Sequence, residues 1–369
     1  MKAKLPEALA RIADSLDPPH LAEARKLQED AWRHRPLERI PFLLLGAQPP
    51  EWPLYPYHET LDDPEKMLWN ELQQVYVGSV LKDDRMLAIR AHFGPGVVAS
   101  LLGARLIVID DETPWVEPLR SSESIRAVVA QGVPDMDFGW GRRVLRTEAF
   151  YRQVLDDSPP LGHHVRVFVS DTQGPFDTAH LLWGEEIYLA IHDEPDLVHA
   201  LLDLITRTTI AFTQRQKELI GEPGQTAVHF GYSVPGGVRV VDDVAVNLSA
   251  RLYAEFCRPY NQRVFEAFRG GYMHYCGDRL HSHGLRLETD GLRGIEMGFD
   301  NPRRNPSYTL ESLQRQGARH QVATLWIQEG LPDFRPGIST GLIYGCECPH
   351  GWESAAAILN KGRDFWRVR

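Results

Sequence analysis

The chain has 369 residues, of which 43% are hydrophobic and 24% are charged, a composition typical of globular proteins. Its formal net charge of −10, with no basic stripe, argues against nucleic-acid binding. No run of about 18 apolar residues occurs, so no membrane-spanning helix is expected. Four cysteines are too few for a disulfide scaffold, and we therefore predict a cytoplasmic protein with reduced thiols that can bind metal.

Residues 1–39 are predicted to form a helical N-terminal extension. The stretch 4–35 has the charged, amphipathic pattern of one or two helices, broken near Asp17-Pro18-Pro19. The simplest interpretation is a helix that packs against the rest of the domain or against a partner subunit. The first ten residues lack the apolar segment and the cleavage site of a signal peptide.

Apolar runs alternate with helical segments through the rest of the chain. The run 40–46 predicts a first strand, the stretch 64–90 predicts a helix that begins at Asp63-Pro64-Glu65, and 106–110 predicts a buried strand. The candidate strands are centred near residues 42, 108, 165, 228, 273, 295, 325 and 343. Strands that alternate with helices indicate βα units around a parallel sheet. Eight of them predict an α/β protein with a (β/α)8 TIM barrel, in which residues 1–369 form one domain.

In a (β/α)8 barrel, the side chains at the carboxyl ends of the strands face the active site. The polar residues at the predicted ends are Asp171, Gln173, His229, Tyr232, Ser233, His274, Cys276, Asp278, Glu296, Gln328, Glu329, Cys346 and Cys348. This set is rich in carboxylates and metal ligands, and it includes three of the four cysteines.

His274 and Cys276 are two positions apart on a predicted strand, so their side chains point to the same face. An imidazole and a thiol are both zinc ligands, and a third ligand could come from Cys346 or Cys348. Three protein ligands and one open position are typical of catalytic zinc, whereas four would indicate a structural site. The alternative is that the cysteine is a small core residue and that the histidine binds a backbone carbonyl.

Asp171 and Glu296 are the candidate catalytic carboxylates. Each follows or ends a predicted strand, where it could orient a substrate or hold a metal ligand in place. Asp171 could instead cap the following helix, and Glu296 could simply connect neighbouring strand ends.

The string Met273-His274-Tyr275-Cys276-Gly277, the later Gly345-Cys346 and the Gly-Pro-Phe step within 170–178 resemble the uroporphyrinogen decarboxylase superfamily. Within it, they look most like the zinc-dependent corrinoid methyltransferase branch. The resemblance covers roughly residues 160–369. It implies a distorted TIM barrel that is often paired as a homodimer.

The same resemblance implies that zinc is the cofactor and that His274, Cys276 and Cys346 bind it, with Cys348 as the alternative third ligand. It implies methyl transfer between a corrinoid protein and a thiol or another small molecule, including a methoxy or methylamine donor. The decarboxylase itself carries an Arg-Gln-Ala-Gly-Arg motif that is absent here, which counts against porphyrinogen decarboxylation. The alternatives are a lyase that uses Asp171 on a carboxylated substrate, and a non-catalytic zinc-binding barrel.

Overall fold

The structure, a computed structural model, describes residues 4–222, 226–276, 280–297, 309–333, 336–348 and 351–368. Asp278, one of the predicted strand-end residues, lies outside these ranges. The helices are α1 (Lys4–Ser15), α2 (Pro18–Trp32), α3 (Tyr57–Thr60), α4 (Pro64–Leu81), α5 (Val97–Leu101), α6 (Ser122–Gln131), α7 (Gly141–Asp156), α8 (Pro159–His164), α9 (Pro175–Trp183), α10 (Ile187–Asp193), α11 (Pro195–Ile220), α12 (Ala250–Phe256), α13 (Arg258–Ala267), α14 (Leu280–Leu287), α15 (Leu310–Arg319) and α16 (Trp352–Phe365). The strands are β1 (Phe42–Leu45), β2 (Ala88–Arg90), β3 (Arg105–Ile107), β4 (Trp115–Glu117), β5 (Arg166–Phe168), β6 (Thr226–His229), β7 (Tyr232–Pro235), β8 (Val238–Val241), β9 (Gly271–His274), β10 (Leu292–Met297), β11 (Ala323–Glu329) and β12 (Leu342–Glu347).

In the described part of the chain, the central sheet has six parallel strands in the order β1-β12-β11-β10-β9-β8. Strands β2 and β5 form a separate parallel pair, and a parallel bridge between Gln173 and Val241 connects the segment after β5 to β8. Strand pairing does not close the ring among the described residues. The protein is therefore an α/β protein with a TIM-barrel-like arrangement of strands. That residues 1–369 form one domain stays a prediction.

Two of the predicted barrel strands belong to antiparallel hairpins instead. β3 pairs with β4, and the following Val108 and Ile109 are exposed, so the predicted buried strand at 106–110 is wrong. β6 pairs with β7, so the strand near residue 228 does not join the central sheet. The parallel strands β2 and β8 were not predicted. Strand propensity is the same in a hairpin and in a barrel, and only the pairing partner separates them.

The predicted helix boundaries depend on capping side chains, and the structure confirms two of them. The Asp17 carboxylate accepts a hydrogen bond from the His20 N–H at 3.2 Å, which separates α1 from α2. The Asp63 carboxylate accepts from Glu65 N–H at 3.0 Å, directly before α4. α4 ends at Leu81 rather than near residue 90, because Lys82 is in the left-handed region at φ 56° and breaks the helix.

Helix α2 packs beneath the carboxyl ends of the strands. The indole ring of Trp32 lies 6.2 Å from the Tyr272 ring on β9, and it contacts Gly294 on β10 so closely that a Cβ there would collide with it. Tyr272 and Gly294 precede His274 and Glu296 by two positions and share their face of the sheet. Trp32 of α2 therefore forms part of the floor of the region where the candidate ligands lie. No helix among the described residues is long and apolar enough to cross a membrane.

Candidate functional site

A cavity of about 580 Å³ lies among the carboxyl ends of the central strands, a volume typical of small-molecule sites. The strand residues in its wall are Leu43, Leu45, Ala88, Arg90, Phe168, Tyr232, Arg239, His274, Glu296 and Ile327. Connecting segments contribute further lining residues, namely Cys276, Met86, Phe230 and Gly231. Two of the predicted metal ligands, His274 and Cys276, and one predicted catalytic carboxylate, Glu296, thus line the cavity.

His274 and Cys276 meet a third potential ligand, Asp243, at this wall. One ligand atom from each of the three side chains lies within 4.8 Å of the other two, and the described residues contain no other such group. The Nε2 atom of His274 is 3.2 Å from the Cys276 sulfur and 3.8 Å from the Asp243 carboxylate. The backbone N–H of Cys276 donates to Asp243 Oδ1 at 2.7 Å. The structure therefore brings together a nitrogen, a sulfur and an oxygen ligand.

Parallel pairing of β8 with β9 positions the three side chains. Val241 is in register with His274, and the N–H of Asp242 donates to the His274 carbonyl at 2.9 Å, so Asp243 follows directly beside the histidine. The buried Asp177 carboxylate accepts hydrogen bonds from the N–H groups of Asp243 at 2.7 Å and Val244 at 3.1 Å. These bonds stabilise the turn after β8 and hold Asp243 beside His274 and Cys276.

The buried carboxylate of Glu296 sets the orientation of His274. Its Oε2 atom is 2.9 Å from His274 Nδ1, and since a carboxylate only accepts, Nδ1 carries the proton. The Nε2 lone pair is then directed at Cys276 and Asp243, which is the arrangement that metal-binding histidines use. Burial would raise the pKa of Glu296, but the hydrogen bond from His274 and the charge of Arg239 hold that pKa below its usual value.

Asp171 and Glu296, the two predicted catalytic carboxylates, are connected through Arg239. Asp171 lies 2.8 Å from Arg90 and 3.5 Å from Arg239, and Arg239 lies 3.5 Å from Glu296. Both guanidinium groups lie over the Phe230 ring, at 4.5 Å and 4.8 Å from its centroid. Burial would raise the pKa of Asp171, but the two arginines outweigh it and lower that pKa. Asp171 does not cap α9, whose N-cap is Gly174.

The structure places Cys346 outside the group of three ligands. On β1, Leu43 and Leu45 line the cavity, and Cys346 is in register with the intervening Leu44. Because side chains alternate along a strand, Cys346 belongs to the opposite face of the sheet. Its thiol donates to the Gly330 carbonyl at 3.4 Å, and burial raises its pKa to about 12. A zinc-ligand role for Cys346 therefore stays a prediction that this arrangement does not support.

The other candidate third ligand, Cys348, is also occupied within the fold. It is buried, and its thiol donates to the Gly351 carbonyl at 3.3 Å. Like Cys346, it does not belong to the group formed by His274, Cys276 and Asp243.

Sequence reasoning missed Asp243, Arg90 and Arg239. Asp243 was overlooked because β8 was not recognised as a strand. The run Val238–Val241 followed by two aspartates is the signal that could have found it, by the same strand-end rule that selected His274.

The three side chains fit a zinc ion. Imidazole, thiolate and carboxylate are all zinc ligands, and tetrahedral bonds of about 2.0–2.3 Å separate ligand atoms by roughly 3.3–3.8 Å. The observed separations of 3.2 Å and 3.8 Å from His274 Nε2 lie close to this range. Because His274 and Cys276 also line the cavity, a metal held here would face it.

No protein-family model matches the sequence, and no curated protein matches it. The structure is similar to that of a methyltransferase from Methanosarcina mazei, with a TM-score of 0.66 and 15% sequence identity. The similarity covers 94% of this chain and 99% of the methyltransferase. It shows that the two proteins share a fold over nearly their whole length, while membership of the uroporphyrinogen decarboxylase superfamily stays a prediction.

Proposed function

We propose that this protein is a zinc-dependent methyltransferase that moves a methyl group between a corrinoid protein and a thiol or another small molecule. The observation that carries the proposal is the meeting of Asp243 with His274 and Cys276, two residues that line a cavity of small-molecule size. The fold shared with a protein named as a methyltransferase supports the same function. Three ligands among the described residues, beside a cavity, favour a catalytic metal over a structural one, which would need a fourth protein ligand.

His274 Nε2, the Cys276 sulfur and the Asp243 carboxylate are the groups that would hold the metal. Bound there, Zn²⁺ would lower the pKa of a coordinating thiol so that it is present as the nucleophilic thiolate. The negative charge of the thiolate and carboxylate ligands would temper the Lewis acidity of the metal, so that a substrate thiolate bound there would stay electron-rich. Glu296 keeps the histidine ring in the required tautomer, and Arg239 holds Glu296 in place.

The remaining wall of the cavity positions the substrate and excludes water. Leu43, Leu45 and Ile327 present hydrocarbon on the side of β1 and β11, and Phe168 continues this surface on β5. Removing water from the reacting groups strengthens their electrostatic interactions. An apolar wall beside the metal ligands therefore favours transfer of the methyl group to a thiolate.

Metal analysis of purified protein tests the ligand set. We expect one zinc per chain in the wild type, and its loss in His274→Ala, Cys276→Ser and Asp243→Asn. Cys348→Ser, which removes a buried thiol outside the group, is the matched control and should keep its zinc. Cys346→Ser separates the two ligand sets, because zinc is retained if Asp243 is the third ligand and lost if Cys346 is. A wild-type protein without metal would refute the proposal and favour the lyase alternative.

Methyl transfer itself is tested with methylcob(III)alamin as a substitute for the corrinoid protein. The methyl group leaves cobalt without the bonding electron pair, so the reaction with a thiol yields cob(I)alamin and a thioether, and the cobalamin spectrum changes. Zinc-loaded wild type should catalyse this change, and Cys276→Ser should not. The corrinoid protein and the homodimer stay predictions that such an assay and a native mass measurement would address.

A further inference from the structure

The charged side chains around the cavity neutralise one another. Asp171 bridges Arg90 and Arg239, and Arg239 also contacts Glu296, so two guanidinium groups are matched by two carboxylates. All four side chains are largely buried, with between 6% and 15% of their surface exposed. Their interactions are therefore weakly screened by solvent, and the set has no net charge.

The two other charged side chains in the wall, Arg85 and Glu71, add no unpaired positive charge. Arg85 is paired with the buried Asp83 at 2.8 Å and donates to Gln74 at 3.0 Å. Glu71 accepts the backbone N–H of Arg90 at 2.9 Å, and as a carboxyl group it brings no positive charge to the wall. Among the described residues of the wall, an anionic substrate would thus find no guanidinium group that lacks a neighbouring carboxylate.

Most of the rest of the wall is hydrocarbon. Leu43, Leu45, Met86, Phe168 and Ile327 all line the cavity. A carboxylate or sulfonate placed against these side chains would lose its hydration without gaining a partner, which is costly. The alternative, breaking the ion pairs of Asp171 to recruit an arginine, would leave a buried carboxylate unpaired.

We propose that the cavity accepts an uncharged, largely apolar substrate, such as a neutral aryl methyl ether or thiol, and discriminates against anions of the same shape. This inference rests on the proposed function in taking the cavity as the substrate site. It names the substrate class and disfavours the carboxylated substrates of the lyase alternative.

Calorimetric titration of the purified protein with two matched compounds tests the proposal. 4-Methylanisole and 4-methoxybenzoate share a ring and a methoxy group and differ in one charge. We expect the benzoate to bind at least roughly tenfold more weakly, as desolvation of an unpaired anion requires. Equal or tighter binding of the benzoate, or no binding of either compound at millimolar concentration, would overturn the inference.

Asp171→Asn tests the charge balance directly, because it leaves two arginines facing a single remaining carboxylate. We expect it to bind 4-methoxybenzoate roughly tenfold more tightly than the wild type does, with little change for 4-methylanisole. The matched control is Asp203→Asn, which removes a carboxylate that bridges Arg207 and Arg263, both at 2.8 Å, outside the cavity wall. An unchanged preference in folded Asp171→Asn would contradict the charge argument, and if this variant does not fold, the wild-type comparison decides alone.

Metal content, measured on the same samples, separates the two proposals. Protein without zinc that still prefers the neutral compound would refute the proposed function and support the inference on substrate charge. Zinc-containing protein that prefers the benzoate would refute only the inference.

Discussion

Replacement of Glu296 tests whether this carboxylate prepares His274 to bind metal. The Oε2 atom of Glu296 lies 2.9 Å from Nδ1 of His274, and both side chains are buried. A hydrogen bond to a charged group contributes about 1.5–3 kcal/mol, and each 1.4 kcal/mol corresponds to about a tenfold change in a binding constant. Glu296→Ala should therefore weaken zinc binding by roughly 10- to 100-fold. For Glu296→Gln, whose amide oxygen still accepts the hydrogen bond from His274, the weakening should lie near the lower end of this range.

Competition between the protein and a chromophoric chelator measures this zinc affinity. Glu255→Gln is a matched control, because Glu255 is an exposed glutamate in α12 that lies 3.5 Å from Arg251 and belongs neither to the ligand group nor to the cavity wall. Thermal unfolding of the metal-free variants shows whether the fold is retained. If Glu296→Ala binds zinc as tightly as Glu255→Gln does, the carboxylate does not orient the histidine and our reasoning about the site is wrong.

Three further predictions concern the ligand set, the floor of the site and the response to pH. Asp243→Asn should lose zinc by metal analysis while its far-ultraviolet circular dichroism stays that of the wild type. Gly294→Ala should lower the free energy of unfolding in urea by about 1–3 kcal/mol, because the new methyl group collides with Trp32, whereas Gly284→Ala, in an open position of α14, should be neutral or slightly stabilising. Burial lowers the pKa of His92 from 6.5 to about 3. Below pH 6.5 the unfolded chain therefore binds a proton that the folded chain does not bind, and the free energy of unfolding should decrease as the pH falls towards 3. His92→Gln should lose less stability than the wild type between pH 7 and pH 4.5, and equal losses would show that other groups dominate.

Several features of this protein follow from short stretches of sequence. Asp63 and Pro64 start α4 because a helix cap needs only a side-chain acceptor within one turn of the N–H groups it binds. His274 and Cys276 line the same cavity, as the two-residue repeat of a strand predicted, although β9 itself ends at His274. The alternation of strands and helices predicted an α/β barrel, and the TIM-barrel-like arrangement of parallel strands agrees with it.

Other features depended on which strands pair. Asp243 joins His274 across 31 positions only because β8 lies beside β9, and Arg239 connects two carboxylates that are distant in sequence for the same reason. The register of β12 with β1 likewise assigns Cys346 to the face opposite the cavity, although its sequence context matches that of a ligand. Caps and strand periodicity involve neighbouring residues and can be recognised in the sequence. Strand partners and register are selected by burial summed over the whole core, so only the tertiary structure decided which ligands meet.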